Sequence, residues 1–191
     1  VTSDPNSPSL PGNLQQAFID NGGAPVALGA EQIVQADRWT LTGDAVVEIR
    51  FTGKPVPGAS VRLSIRKPGR ILLSDGSPAA ALAVYDQRGL PRSARHRVRP
   101  NGSSLLVYNA YAVMRGGRSF EESWTGNAGM IVTRLAEDRR RYECSDGTGA
   151  FARGDLVFEI GLLGADAPLF PDDAHPARPG LLAKLRARWG G

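Results

Sequence analysis

Between positions 39 and 163 apolar side chains recur at almost every second residue, a period that commits most of the chain to β-strands. In 44–51, Ala45, Val47, Ile49 and Phe51 point one way while Glu48 and Arg50 point the other. In 60–66, Val61, Leu63 and Ile65 alternate with Arg62, Ser64 and Arg66. Each is a strand with one face in a core and a charged face in water. Gly53-Lys54-Pro55-Val56-Pro57-Gly58 reads as a turn between them, which predicts that the two strands are neighbours. Further strands are predicted at 71–73, 80–85, 105–114, 120–124, 129–135, 140–144 and 155–163. Pro100-Asn101-Gly102, just ahead of the long 105–114 run, is a hairpin signal. The 23 glycines and 14 prolines leave helices little uninterrupted room. The pattern predicts an all-β fold: an antiparallel β-sandwich of about eight strands, with a closed barrel of about eight strands as the alternative.

The two ends read differently. Positions 1–12 form a flexible arm broken by Asp4-Pro5, Ser7-Pro8 and Pro11-Gly12. Asn13 is placed to cap a short helix whose Leu14, Ala17 and Phe18 share one face, and Asn21-Gly22-Gly23 stops it. The β domain spans 13–164. Beyond it, Pro168, Pro171, Pro176 and Pro179 make 165–179 an extended linker. A basic amphipathic helix follows, with Leu181, Leu182, Leu185 and Trp189 together and Lys184, Arg186 and Arg188 on other faces. Such a helix needs a surface to cover its leucines, which predicts docking onto a protein partner or a second copy of the chain, with packing on its own sandwich as the alternative.

A chain of 191 residues is one domain of ordinary size, and its net charge of +4 is far from that of a dedicated nucleic-acid binder. The single cysteine, Cys144, permits no internal disulfide, which suits a cytoplasmic location while leaving a secreted or periplasmic one open. No apolar run approaches the roughly 18–20 residues of a membrane-spanning helix.

Phosphate-binding glycine loops, a nucleophile elbow, HExxH and paired cysteines are all absent. His96 and His175 have no metal-ligating partner nearby in sequence, and Cys144 reads as a small buried residue near a strand end. The most distinctive stretch is 142–160, in which Glu143, Cys144, Ser145, Asp146 and Gly147 lead through Phe151 and Asp155 into Leu156-Val157-Phe158-Glu159-Ile160. This order resembles the last-strand loop of calcium-associated β-sandwich domains, both bacterial lectin-like and inclusion-body-protein-like. The resemblance implies an Ig-like or lectin-like sandwich, and Asp146, Asp155 and Glu143 would be the calcium ligands. The segment departs from that pattern at Ala150, Ala152 and Arg153, where oxygen ligands belong and where Arg153 would bring a cation into the site. The expectation is therefore no cofactor, and an Asx-type turn in which Asp155 anchors backbone amides.

Two other groups of side chains are candidates for ligand binding. Arg95, Arg97 and Arg99 are spaced by two, so in a strand their guanidinium groups share one face suited to phosphate or carboxylate; the bland reading is a solvated edge strand. Arg139-Arg140-Arg141 reads as a polar hairpin turn, and both groups on one face would favour an anionic partner. Trp124 and Asn127, with Trp39, Tyr85, Tyr108, Tyr111 and Asn109, could hold a sugar, or could simply fill the core. The leading functional expectation is a non-enzymatic binding or self-assembling module for an anionic ligand, a carbohydrate or a protein. The alternative is a small-barrel cyclase or isomerase working without metal, with Glu121, Glu122 and Tyr111 as acid–base groups; 147–151 looks like a turn of such barrels.

Overall fold

A computed structural model describes residues 13–73 and 75–169. They form two antiparallel sheets stacked on a common core, with one short helix. After α1 (Leu14–Asp20) come three short strands, β1 (Val26–Leu28), β2 (Glu31–Val34) and β3 (Asp37–Trp39). Then follow β4 (Ala45–Phe51), β5 (Ala59–Ile65), β6 (Arg70–Leu72), β7 (Pro78–Ala79), β8 (Ala81–Tyr85) and β9 (Ser93–Arg99). The long strands β10 (Leu105–Arg115), β12 (Asn127–Ala136), β13 (Arg139–Gly147) and β14 (Leu156–Gly164) complete the set with β11 (Arg118–Glu122). The large sheet runs β1-β2-β12-β13-β14-β4-β9-β6-β7, and the small sheet β11-β10-β5-β8 with β3 also on β10. Neither closes on itself, so the fold is a sandwich and the barrel alternative falls.

The alternating side chains meet between the sheets. Val47, Ile49 and Phe51 of β4 pack with Val61 and Leu63 of β5, Val107 of β10, and Tyr142 and Phe158 of β13 and β14, all 4% exposed or less. Tyr142 and Phe158 stack with ring centroids 4.6 Å apart.

Two predicted pairings are corrected. β4 and β5 are not neighbours: β4 lies between β14 and β9, and β5 between β10 and β8. The connection holding Pro55 and Pro57 is too long and stiff for a tight hairpin, and it crosses the roughly 10 Å between sheets so that two apolar faces oppose each other. Likewise Asn101 (φ 44°) and Gly102 (φ 79°) make the expected tight turn, closed by Ser103 N donating to Pro100 O at 2.8 Å, but it joins β9 of one sheet to β10 of the other.

Asn13 caps α1 by accepting from the amides of Gln15 and Gln16. Leu14 and Phe18 are buried against Val26, Ile33 and Ile131, covering part of the outer face of the large sheet. The arm 1–12 and the helix carrying Leu181, Leu182, Leu185 and Trp189 lie outside the described residues. Among those described, no helix is long and apolar enough to cross a membrane.

Candidate functional site

Around the loop after β13, Asp146 and Asp155 hold backbone amides. Asp146 Oδ1 accepts from Thr148 N at 2.8 Å, and Asp155 Oδ2 accepts from Asp146 N at 3.1 Å. Ser145 Oγ accepts more weakly from Gly147 N and Ala152 N. Glu143 pairs with Arg141 along β13, and Arg153 pairs with Glu31 of β2. Among the described residues no three His, Cys, Asp or Glu side chains are grouped to hold a metal ion. Gly147 has φ 83°, and a Cβ there would lie 2.6 Å from Thr125 O and 2.7 Å from Tyr111 Oη. The glycine thus permits β13 to end hard against the segment that carries Trp124.

The arginines come together differently from either expectation. β9 is not an edge strand: β4 pairs along one side and β6 along Arg97–Arg99 on the other. Arg139, Arg140 and Arg141 are not a turn but the opening residues of β13; the turn is Glu137-Asp138. By alternation Arg95, Arg97 and Arg99 do share the outer face of the large sheet, with Arg139 and Arg141. Most of their charge is consumed there. Glu48, only 2% exposed, accepts from Arg95 Nε at 2.9 Å and has Arg50 at 3.3 Å and Arg139 at 4.0 Å. Arg139 also reaches Glu159, and Arg99 reaches Asp44 at 3.3 Å. Arg97 is partly buried, and its Nε has no partner among the described residues. Arg140 faces the other way, onto Asp37 and over the Trp39 ring at 4.0 Å. Tyr142 Oη donates to Asp37 Oδ2 at 2.7 Å and accepts from Trp39 Nε1 at 2.8 Å; burial and the Asp37 charge push its phenol well above the ordinary value.

The acid–base candidates are divided. Glu121 and Glu122 point to opposite faces of β11. Glu121 accepts from Ser60 Oγ at 2.7 Å and Arg62 Nε at 2.8 Å. Glu122 is ion-paired with Arg115 and accepts from Thr125 Oγ1 at 3.1 Å, and that hydroxyl lies 2.5 Å from Tyr111 Oη. Tyr111 and Glu122 are therefore joined through Thr125, without Glu121. Cys144 is fully buried and desolvation pushes its thiol pKa well up, so it lacks thiolate character.

Trp124 and Asn127 are not partners either. Asn127 accepts from Leu14 N at 2.9 Å and donates to Gly149 O, tying α1 to the loop after β13. Trp124 sits at φ 64°, 38% exposed, with Nε1 donating to Gln35 O at 2.9 Å and its ring 4.8 Å from that of Tyr108. Tyr108 is opposite Arg62 in the β10–β5 register, and Ser60 is opposite Tyr85 in the next pairing. Tyr85 is 40% exposed, its hydroxyl 3.5 Å from Glu121 Oε2. The outer face of the small sheet thus carries Trp124, Tyr108, the Arg62–Glu121 pair and Tyr85 as one surface. Alternation places Arg62 on that face; nothing in the sequence puts Tyr85 beside Glu121. Comparison with known protein families, with characterised proteins and with solved structures returns no match to this chain.

Proposed function

We propose that the chain is a non-enzymatic binding module that seats a carbohydrate on the outer face of its small sheet. The observation that carries this reading is Trp124: a bulky side chain at positive φ, a conformation that costs on the order of 1–3 kcal/mol. The residue is more than a third exposed, so burial gives back only part of that cost. A ring held open to solvent by a hydrogen bond at its edge and a tyrosine at its flank suits the apolar C–H face of a pyranose. Arg62, Glu121 and the Tyr85 hydroxyl stand beside it as donors and acceptors for sugar hydroxyls. An anionic ligand on the other sheet is a weaker reading, because Glu48, Glu159, Glu143 and Asp44 already take up most of the arginines.

Affinity electrophoresis against a panel of neutral soluble polysaccharides tests it. At least one should retard the wild-type chain, and Trp124→Ala should weaken that interaction by about tenfold or more, the effect of losing one stacking ring. A panel that retards nothing, or a Trp124→Ala chain retarded as strongly as wild type, would sink the reading.

A further inference from the structure

Among the described residues, besides the three-residue β3 that pairs only with β10, four strands end the sheet ladders, and three of them are blunted. β1 is three residues long, β7 is two residues beginning at Pro78, and β11 carries Arg118, Glu121 and Glu122. Short length, proline and charge are the usual guards against strand addition. β8 has none of them: Ala81-Leu82-Ala83-Val84-Tyr85 is uncharged, and so are the three residues before it. Its one hydrogen-bonded neighbour among the described residues is β5.

The phase of that pairing shows which groups are left over. Ile65 N donates to Ala80 O and Asp86 N to Ala59 O, which makes these hydrogen-bonded pairs. Antiparallel pairs alternate, so Leu82 and Val84 also direct their backbone groups at β5, and Ala81, Ala83 and Tyr85 direct theirs outward. Beside this edge the sheets part over a hollow of about 290 Å³ that includes Leu82, Val84, Leu90, Pro91, Ala94 and His96 in its lining. Leu82 and Val84 are only partly buried, although alternation points them at the core.

We infer that β8 pairs antiparallel with β8 of a second copy, about a two-fold axis at Ala83, fusing the two small sheets into one. The register is self-complementary. Ala83 meets the second copy's Ala83, and Tyr85 meets the second copy's Ala81, a large ring against a methyl group. All three outward-facing residues share one hydrogen-bonding phase, so all three pair at once. No like charges are opposed across the axis, and the edge carries no charge with which to select a different chain. Leu82 of each copy meets Val84 of the other above the hollow, covering side chains that one copy leaves half open. The pairing stands whatever the Trp124 surface binds.

Sedimentation velocity of the full chain over about a hundredfold range of concentration reads the outcome. Wild type should move from monomer to dimer. Ala83→Pro removes an outward N–H and no bond to β5, so it should keep the wild-type circular dichroism and raise the dimer dissociation constant at least tenfold. Ala83→Lys, which sets two like charges on the axis, should do the same and decides the matter should the proline variant fail to fold. Wild type that stays monomeric throughout, or a dimer that survives Ala83→Lys unchanged, overturns the inference.

Discussion

Arg95 reaches across the β4–β9 pairing to Glu48, its Nε 2.9 Å from Oε1, and buries there the charge that its spacing in the sequence offers to a ligand. The carboxylate is 2% exposed and faces Arg50, Arg95 and Arg139 at once. An ion cluster of this kind is costly to break from its centre, because the remaining guanidiniums then repel one another in partly buried positions.

Glu48→Ala should therefore destabilise the fold by about 3 kcal/mol. Arg50→Ala should cost far less, since the Arg50 side chain is 47% exposed and its pairing is screened by water. Urea denaturation of both variants measures the difference. Equal losses would mean that Glu48 is not the centre of the cluster.

Alternation made this fold legible where the strands are long: Val47, Ile49, Val61 and Leu63 face the core as their spacing predicts. It does not report which strands pair, because a turn such as Pro100-Asn101-Gly102 has the same local chemistry within a sheet or between two. The three strands β1–β3, each four residues or fewer, leave no legible pattern, because a period of two needs more residues to be visible. The site was harder still. Arg95, Arg97 and Arg99 do share a face, but the acids that pair with two of them, Glu48 with Arg95 and Asp44 with Arg99, lie in or beside another strand and are invisible until the register is known. At Asp146-Gly147 the glycine answers to the close approach of Thr125 and Tyr111, which lie far off in sequence.

That close approach can be tested directly. Gly147→Ala would place a methyl group against Thr125 O and Tyr111 Oη in a backbone conformation that disfavours any Cβ. A loss of at least about 2 kcal/mol is expected, with the denaturant slope unchanged. Gly149→Ala, also at positive φ but with nothing within 4 Å, should cost only the conformational part. Equal losses at both positions would show that the contact with Thr125 and Tyr111 contributes nothing.

His96 lies beside the hollow next to β8, where desolvation lowers its pKa below the ordinary 6.5. The unfolded chain then binds the proton more readily than the folded one, so stability is fully present above pH 6.5 and falls as acidification proceeds below it. Thermal melts at about pH 7.5 and pH 5.5 should show a drop for wild type that His96→Gln loses. A wild-type drop that the variant retains in full would assign it to other groups.

The decisive variant pair is at Trp124, where stability and binding should part company. Glycine normally weakens a fold relative to alanine by about 1 kcal/mol, through the extra freedom of the unfolded chain. At φ 64° the order should invert, because alanine keeps the Cβ that disfavours this backbone and glycine removes it. Both substitutions lose the same indole, with its hydrogen bond to Gln35 O and its contact with Tyr108, so those losses cancel in the comparison. Trp124→Gly should thus be more stable than Trp124→Ala by about 1 kcal/mol, while both lose polysaccharide binding to the same degree. Urea denaturation and affinity electrophoresis on the two proteins give the answer together. If alanine is the more stable, the backbone at 124 is not left-handed and the strain argument fails; if glycine is the more stable but binding persists, the ring is held open for some other purpose.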